Sequence, residues 1–459
     1  MASSMATPGA SVSLRALKAL RPNRWIKALS GAAVVWAFLP DGDSTALRIH
    51  RAFRRDIWLE SDALEQLVLG VGFLFWLPVT LFLVARETAT CGPRVKRDHG
   101  VGLARQVAQQ LSLSLRSAVA PPWYYMFELH DDANRARALE YLYRFETKAG
   151  FYDILRRHLA LPETGRALSD KARFALRCQE AGVPAVTALA VAEAGAITRL
   201  DGGHEGLPRA DVFLKPKHGA GGRGAERWLY DGRGSWTGHD GTVLDEAGLV
   251  ARLRALSREA AYVVRRFVRN HPEVAELSPG ALSTVRVVTC RGEDGRPEVT
   301  HAVFRMARDA SVVVDNFHAG GLAAAVDLAT GALGQASDMG LRADSRWHDV
   351  HPGTGARITG RRLPRWPEVM DLAVRAHQAF ADEVTVGWDI AILEDGPSLV
   401  EGNKSPDLDI LQRIGRAPLG NSRFGELLLF HVDKVRAQRL QPLHAMPTAA
   451  APAAKPWRS

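Results

Sequence analysis

Two carboxylates and an amide, Asp389, Glu401 and Asn403, flank the turn residues Glu394-Asp395-Gly396-Pro397. Apolar residues recur on both sides, in Trp388 to Leu393 and Ser398 to Asn403, which predicts the two strands of a hairpin. With Asp395 at its centre, Asp389 and Glu401 fall opposite one another, and Asn403 shares the face of Glu401 because side chains alternate along a strand. The set is hard and oxygen-only, suited to Mg²⁺ or Mn²⁺ held jointly with phosphate oxygens. The alternative is a solvated hairpin with acids on its open face.

Phosphate needs cations, and the chain supplies them upstream. Lys215 sits in the short apolar strand Val212 to Lys217, followed directly by His218-Gly219-Ala220-Gly221-Gly222-Arg223-Gly224, where amides freed of side chains can close on phosphate. Residues 219–224 match GxGxxG formally, but no helix start follows, so the segment is not a dinucleotide turn. The chain has no Gly-Lys pair for a Walker A loop, and neither HRD nor DFG for protein-kinase chemistry. What remains is a glycine loop joining two strands, or a plain glycine-rich turn. Lys171 opens a helix capped by Ser169 or Asp170. Arg286 lies inside the β-branched strand Ser283 to Thr289, where a buried guanidinium needs an anionic partner and an edge position is the alternative. Between these cations, Ala261 to Val268 is an apolar strand that could lend backbone groups at Val264, Arg265 and Phe267 to an adenine ring.

The elements that must position these residues occupy a chain of 459 residues, long enough for two or three domains. Its net charge is +9 and its pI about 9.7, with basic stretches at Arg15 to Lys27 and Arg48 to Arg55 that suit anionic lipid or anionic substrates. No reading motif accompanies the charge, so a nucleic-acid partner is not expected. The cysteines, Cys91, Cys178 and Cys290, are far apart and read as reduced thiols of a cytoplasmic domain. Residues 1–65 form a basic region with a short apolar run at Ala28 to Leu39. Gln66 to Ala85 carries no charge and predicts a transmembrane helix, a buried core helix being the alternative. Arginines on both sides leave its orientation open; a need for ATP places the C-terminal bulk in the cytoplasm. A helical region follows at 95–165, with Leu103, Val107, Leu111 and Leu115 on one face, then a glycine-loop unit at 166–270 and a hairpin-bearing unit at 271–438. Residues 439–459 are small and Pro-rich, as in a disordered tail.

Lysine, glycine loop, strand arginine and Asp…Glu-x-Asn stand in the order used by ATP-grasp enzymes, and Leu399 to Pro406 resembles the metal-binding strand of carboxylate–amine ligases in that superfamily. More narrowly, His271-Pro272, Leu282 to Thr289, Asp315-Asn316 with Gly320-Gly321, and Gly387-Trp388-Asp389 resemble the sugar-transfer-associated ATP-grasp family, related to α-L-glutamate ligase-like proteins, over about residues 95–435. The resemblance implies an α+β ATP-grasp fold in which two subdomains clasp ATP, preceded here by the helical region and the membrane segment. It implies that Lys171 and Lys215 contact ATP phosphates, and that the loop with Gly219, Gly221, Gly222 and Gly224 closes over them. Arg286 would meet the γ-phosphate, while Asp389, Glu401 and Asn403 hold the metal. Where such enzymes often carry a glutamate or glutamine at the adenine hinge, this chain has Arg265 and Arg266, leaving adenine to backbone groups. The implied chemistry is activation of a carboxylate as an acyl phosphate and its capture by an amine. Asp315, Asn316 and His318, with Arg305 and Arg308, are the candidates to face a small-molecule or glycan-linked substrate. Phosphorylation of a hydroxyl, and a non-catalytic ATP-binding membrane protein, are the alternatives. The family's association with sugar transfer suggests a cell-envelope polysaccharide precursor as acceptor.

Overall fold

The first part of the chain folds as helices because its apolar residues recur every three to four positions and its helix starts carry caps. In the computed structural model, which describes residues 27–440 except 201, 203–205, 219–223, 279, 310–316 and 318–319, α1 (Thr45–Leu59) starts at Ser44 and α2 (Ala63–His99) at Asp62, whose carboxylate accepts from the Glu65 N–H at 2.8 Å. Next come α3 (Leu103–Ser117), α4 (Tyr152–Leu159) and α5 (Pro162–Ser169), which opens on a proline. The carboxylate of Asp170 then caps α6 (Lys171–Glu180), accepting from Ala172 and Arg173, so Asp170 and not Ser169 sets that start.

By length and composition, α2 is the one helix among the described residues able to cross a membrane. It is not a bare span. Val68, Leu69, Gly72, Trp76, Thr80 and Val84 are buried against protein, and the Trp76 ring lies so close to Gly31 that a Cβ there would meet it at 2.5 Å. The opposite flank exposes Leu67, Leu74, Phe75, Leu77, Leu81 and Phe82. The apolar run Ala28 to Leu39 supplies part of the packed side, with Ala28, Ala32 and Trp36 buried in the same core.

Strands follow, in two antiparallel sheets. One is ordered β2-β1-β7-β3-β4-β5-β6, from β1 (Ala188–Glu193), β2 (Ala196–Arg199), β3 (Val212–Pro216), β4 (Glu226–Tyr230), β5 (Ser235–Gly238), β6 (Val243–Asp245) and β7 (Tyr262–Arg266). Helix α7 (Glu246–Glu259) covers it with Leu249 and Leu253. The other is ordered β11-β10-β9-β8-β12-β13, from β8 (Thr284–Arg291), β9 (Pro297–Met306), β10 (Leu322–Val326), β11 (Leu333–Ser337), β12 (Thr385–Leu393) and β13 (Gly396–Asn403). Here α8 (Trp366–Ala379), α5 and α6 pack on one face, against Val285, Val287, Trp388 and Leu399. On the other face, α9 (Leu408–Gly415) and α10 (Arg423–Leu440) pack with the N-terminal helices against Val288 and Val303. Every residue of β12 is buried, which is why its sequence reads as a near-continuous apolar run interrupted by one acid.

The hairpin of β12 and β13 turns differently from its sequence-predicted centre. Leu393 pairs with Gly396, so the loop is only Glu394-Asp395, and a regular ladder from there would set Asp389 against Val400. A bulge intervenes: Ile390 pairs with Leu399 but Asp389 pairs with Glu401, leaving Val400 as the extra residue. The expected juxtaposition of Asp389 and Glu401 is present, produced by the bulge and not by the turn.

Candidate active site

Directly opposed residues on neighbouring strands share a face, and one such row crosses β8, β12 and β13: Arg286, Asp389 and Glu401. The face is the one that α9 and α10 cover further along, left open here towards the first sheet. Arg286 grips Asp389 bidentately, Nε to Oδ1 at 2.5 Å and a terminal nitrogen to Oδ2 at 3.0 Å, and Arg305 of β9 reaches the same Oδ2 at 3.2 Å. Gly387 makes the grip possible, since a Cβ there would lie 3.1 Å from Arg286 Cδ and 2.9 Å from Pro406. Asn403 Nδ2 lies 3.4 Å from Asp389 Oδ2, and rotation of the amide presents its oxygen to the same point.

The facing sheet brings Lys215, and the start of α6 brings Lys171 beside it. Lys215 on β3 reaches across the cleft to Glu401, Nζ to Oε2 at 3.1 Å, while Lys171 at the start of α6 donates to the Lys217 carbonyl at 3.3 Å. Burial by itself would raise the Glu401 carboxyl, but Lys215, Lys171 and Arg286 outweigh it and hold the group far below the usual carboxylate range, with 29 % of the side chain still open to the cleft. Burial, with Lys215 nearby, pushes the Lys171 ammonium down to about 8. The cleft is thus poised for anions on its lysine side.

Asp389, Glu401 and Asn403 fit a divalent cation. Among the described residues no three His, Cys, Asp or Glu side chains converge as a metal cluster, so an ion here would rest on two carboxylates, one amide oxygen and further oxygens from outside the protein. That incomplete oxygen set is the one Mg²⁺ shares with nucleotide phosphates.

Several sequence-predicted residues lie elsewhere or do something else. Val264 and Arg265 stand in β7, which is laddered to β1 on one side and β3 on the other, and the Phe267 N–H is given to the Asp211 carbonyl at 3.0 Å. Val264 and Arg265 therefore sit within the sheet ladder, and the Phe267 N–H is engaged by Asp211. The Arg265 guanidinium, 3 % exposed, donates to the carbonyls of Val400 at 2.6 Å and Lys171 at 3.2 Å. It thereby ties the bulge to the helix start that carries Lys171. Arg305, expected to face substrate, is drawn onto Asp389, while Arg308 lies towards Asp344 at 3.5 Å. Gly224 has φ +70°, and its carbonyl accepts from the Tyr262 hydroxyl at 3.1 Å. Gly219, Gly221, Gly222, Asp315, Asn316 and His318 lie outside the described residues. The latch made by Arg265 was missed; its signal was a cation inside an apolar strand, the same cue that singled out Arg286.

Two sheets closing on a cleft with lysines on one wall and an Arg-Asp-Glu row on the other define a nucleotide-clasping protein of ATP-grasp fold. The model of the sugar-transfer associated ATP-grasp family matches residues 154–422, and the chain belongs to that family. No curated protein matches it. Among solved structures it is similar to N5-carboxyaminoimidazole synthase from Aspergillus clavatus in complex with ADP and its ribonucleotide (12 % identity, 57 % of this chain and 55 % of that one, TM-score 0.31). It is similar also to D-alanine–D-alanine ligase from Bacillus anthracis (11 %, 60 % and 71 %, TM-score 0.33). A third is the ATP-grasp ligase PsnB complexed with minimal precursor, Mg and ADP (16 %, 59 % and 61 %, TM-score 0.32). The chain thus spans little more than half the length of the first of these.

Proposed function

We propose that the protein is an ATP- and Mg²⁺-dependent ligase that activates a carboxylate and transfers the acyl group to an amine or similar nucleophile, ADP-forming, on a glycan or cell-envelope precursor. The observation that carries this reading is the convergence of Lys215, from β3 of one sheet, and Lys171, from the start of α6, on the Arg286–Asp389–Glu401 row of the other sheet. A carboxylate oxygen of the substrate attacks the γ-phosphorus, the bond to the ADP oxygen breaks, and an acyl phosphate forms. The amine then attacks the acyl carbon, phosphate leaves, and the amine proton passes to solvent or phosphate. Lys171 and Lys215 hold phosphate charge in line, and Arg286 swings from Asp389 towards the transferring group, where fixed cations in a water-poor cleft stabilise developing charge. Asp389, Glu401 and Asn403 would hold Mg²⁺, which would supply neutralisation of phosphate charge. No covalent protein intermediate is required.

The lipid assignment rests on α2. Its exposed flank is apolar over several turns, with Leu74 74 % exposed, and arginines lie at both ends of the stretch, including Arg55 and Arg86. We assign that flank to the hydrocarbon of a membrane, with the clasp on the cytoplasmic side where ATP is available.

Hydroxylamine tests the chemistry, since it traps acyl phosphates without the natural amine. With Mg·ATP and a pool of cellular carboxylates, the wild-type chain yields a hydroxamate and ADP, and Glu401→Gln yields neither. A phosphorylated hydroxyl product with no hydroxamate marks a kinase instead.

A further inference from the structure

A second cavity, of about 730 Å³, lies between α4, α5, the start of α6, Lys217 and Lys404. Its lining carries six Arg and Lys side chains against one carboxylate, Asp170. That acid is already engaged, capping α6 and meeting Lys217 Nζ at 3.3 Å. From outside the lining, Asp153 pairs with Arg156 and Glu60 with Arg157. The remaining charges are left over. Among the described residues Arg166 has no carboxylate partner, Arg173 reaches only the shared Asp170 at 3.7 Å, and Lys404 donates to the Gly165 carbonyl with no carboxylate within 4 Å. Also from outside the lining, Glu193 Oε2 lies 3.9 Å from Lys217 Nζ and Asp382 accepts from the Leu161 N–H at 2.6 Å, while Glu383 is buried behind Gly165.

Like charges gathered around one concavity repel each other and focus a positive potential into it, a cost that a multivalent anion offsets on binding. Arginine forks add bidentate recognition of phosphate or carboxylate oxygens. The cavity also adjoins the cleft. Asp170 precedes Lys171, Lys217 stands two residues past Lys215, and Lys404 follows Asn403, so each wall continues an element of the nucleotide site.

We propose that this cavity binds an oligoanionic group of the diphosphate class on the second substrate and holds it beside the phosphate end of ATP. The proposal rests on the ATP-clasp reading above. It is tested by titrating inorganic pyrophosphate calorimetrically, at fixed free Mg²⁺, into the full chain saturated with the non-hydrolysable analogue Mg·AMPPNP. The wild type gives saturable binding, Arg166→Glu/Arg173→Glu weakens it at least tenfold, and the affinity for Mg·AMPPNP stays within twofold in both. Arg166→Gln/Arg173→Gln repeats the test if the acidic pair unfolds. Pyrophosphate binding that is absent with nucleotide in place, or equal in wild type and variants, overturns the proposal. If Mg·AMPPNP itself fails to bind, the clasp reading falls, and pyrophosphate titrated alone still reports on the cavity through Arg166 and Arg173. Displacement of pyrophosphate by a soluble sugar diphosphate or by a prenyl diphosphate in micelles supports the assignment and separates a soluble carrier from a lipid one. Displacement by neither counts against the diphosphate class.

Discussion

Lys171 is the residue whose charge the cleft holds most precariously. Burial and Lys215 bring its ammonium to about 8, against an ordinary lysine value near 10.4. Phosphate binds the cationic form, so affinity is full below pH 8 and declines as pH rises through it, by up to about tenfold per pH unit. Mg·ATP titrations between pH 7 and 9.5 should show that decline in wild type and a flat profile in Lys171→Arg, whose guanidinium stays charged. A flat wild-type profile would mean that the ammonium keeps its proton in the cleft. Lys171, Lys215, Asp389, Glu401, Asn403 and Arg286 could all be singled out in the sequence, because charged or amide residues set in or beside apolar strands are chemically conspicuous. Where their side chains point was another matter. Arg305 lands on Asp389 because β9 lies beside β8, and strand order across a sheet leaves no mark in local periodicity.

At the scale of elements, the hairpin decides the site. Its strands and loop were readable, but the bulge at Val400 was not: a single extra residue between paired strands carries no glycine or proline signal here. Arg265 stabilises that bulge from the other sheet, which is why an arginine is tolerated in a central strand. Gly387 is the complementary feature on β12, leaving room for Arg286 and Pro406. Adding a methyl there should cost about 1–3 kcal/mol of stability through overpacking. Gly387→Ala should stay folded with a lowered Tm. Its turnover should fall more than tenfold as Arg286 is displaced, while nucleotide affinity changes less than threefold. Thermal melting, steady-state kinetics and calorimetry on one preparation separate these effects, and unaltered turnover would remove Arg286 from the chemistry.

For the whole molecule, the sequence marked out a helical part, a glycine-loop part and a hairpin part, and membership of the ATP-grasp superfamily ties the last two together. The stretch Gln66 to Ala85 was legible as an apolar helix but its packing was not, since an uncharged run satisfies lipid and a protein core equally. Its two flanks now separate: Trp76 and Gly72 face protein, Leu74, Phe75 and Leu81 do not. The triple variant Leu74→Gln/Phe75→Gln/Leu81→Gln should release the chain from anionic lipid vesicles in flotation while leaving Tm within a few degrees. Retention on vesicles would point to another attachment. The two sheets meet through Lys215 and Glu401, and this contact between walls is what nucleotide phosphates and a metal would remodel.

The account therefore turns on Mg·ATP binding measured by calorimetry in wild type, Lys215→Ala and Glu401→Gln. Loss of a charge-assisted contact worth about 1.5–3 kcal/mol should weaken binding roughly 10- to 150-fold in Lys215→Ala. Glu401→Gln should keep nucleotide binding but lose much of its dependence on Mg²⁺. Unchanged affinity in Lys215→Ala, with Mg²⁺ dependence intact in Glu401→Gln, would contradict the assignment of this cleft.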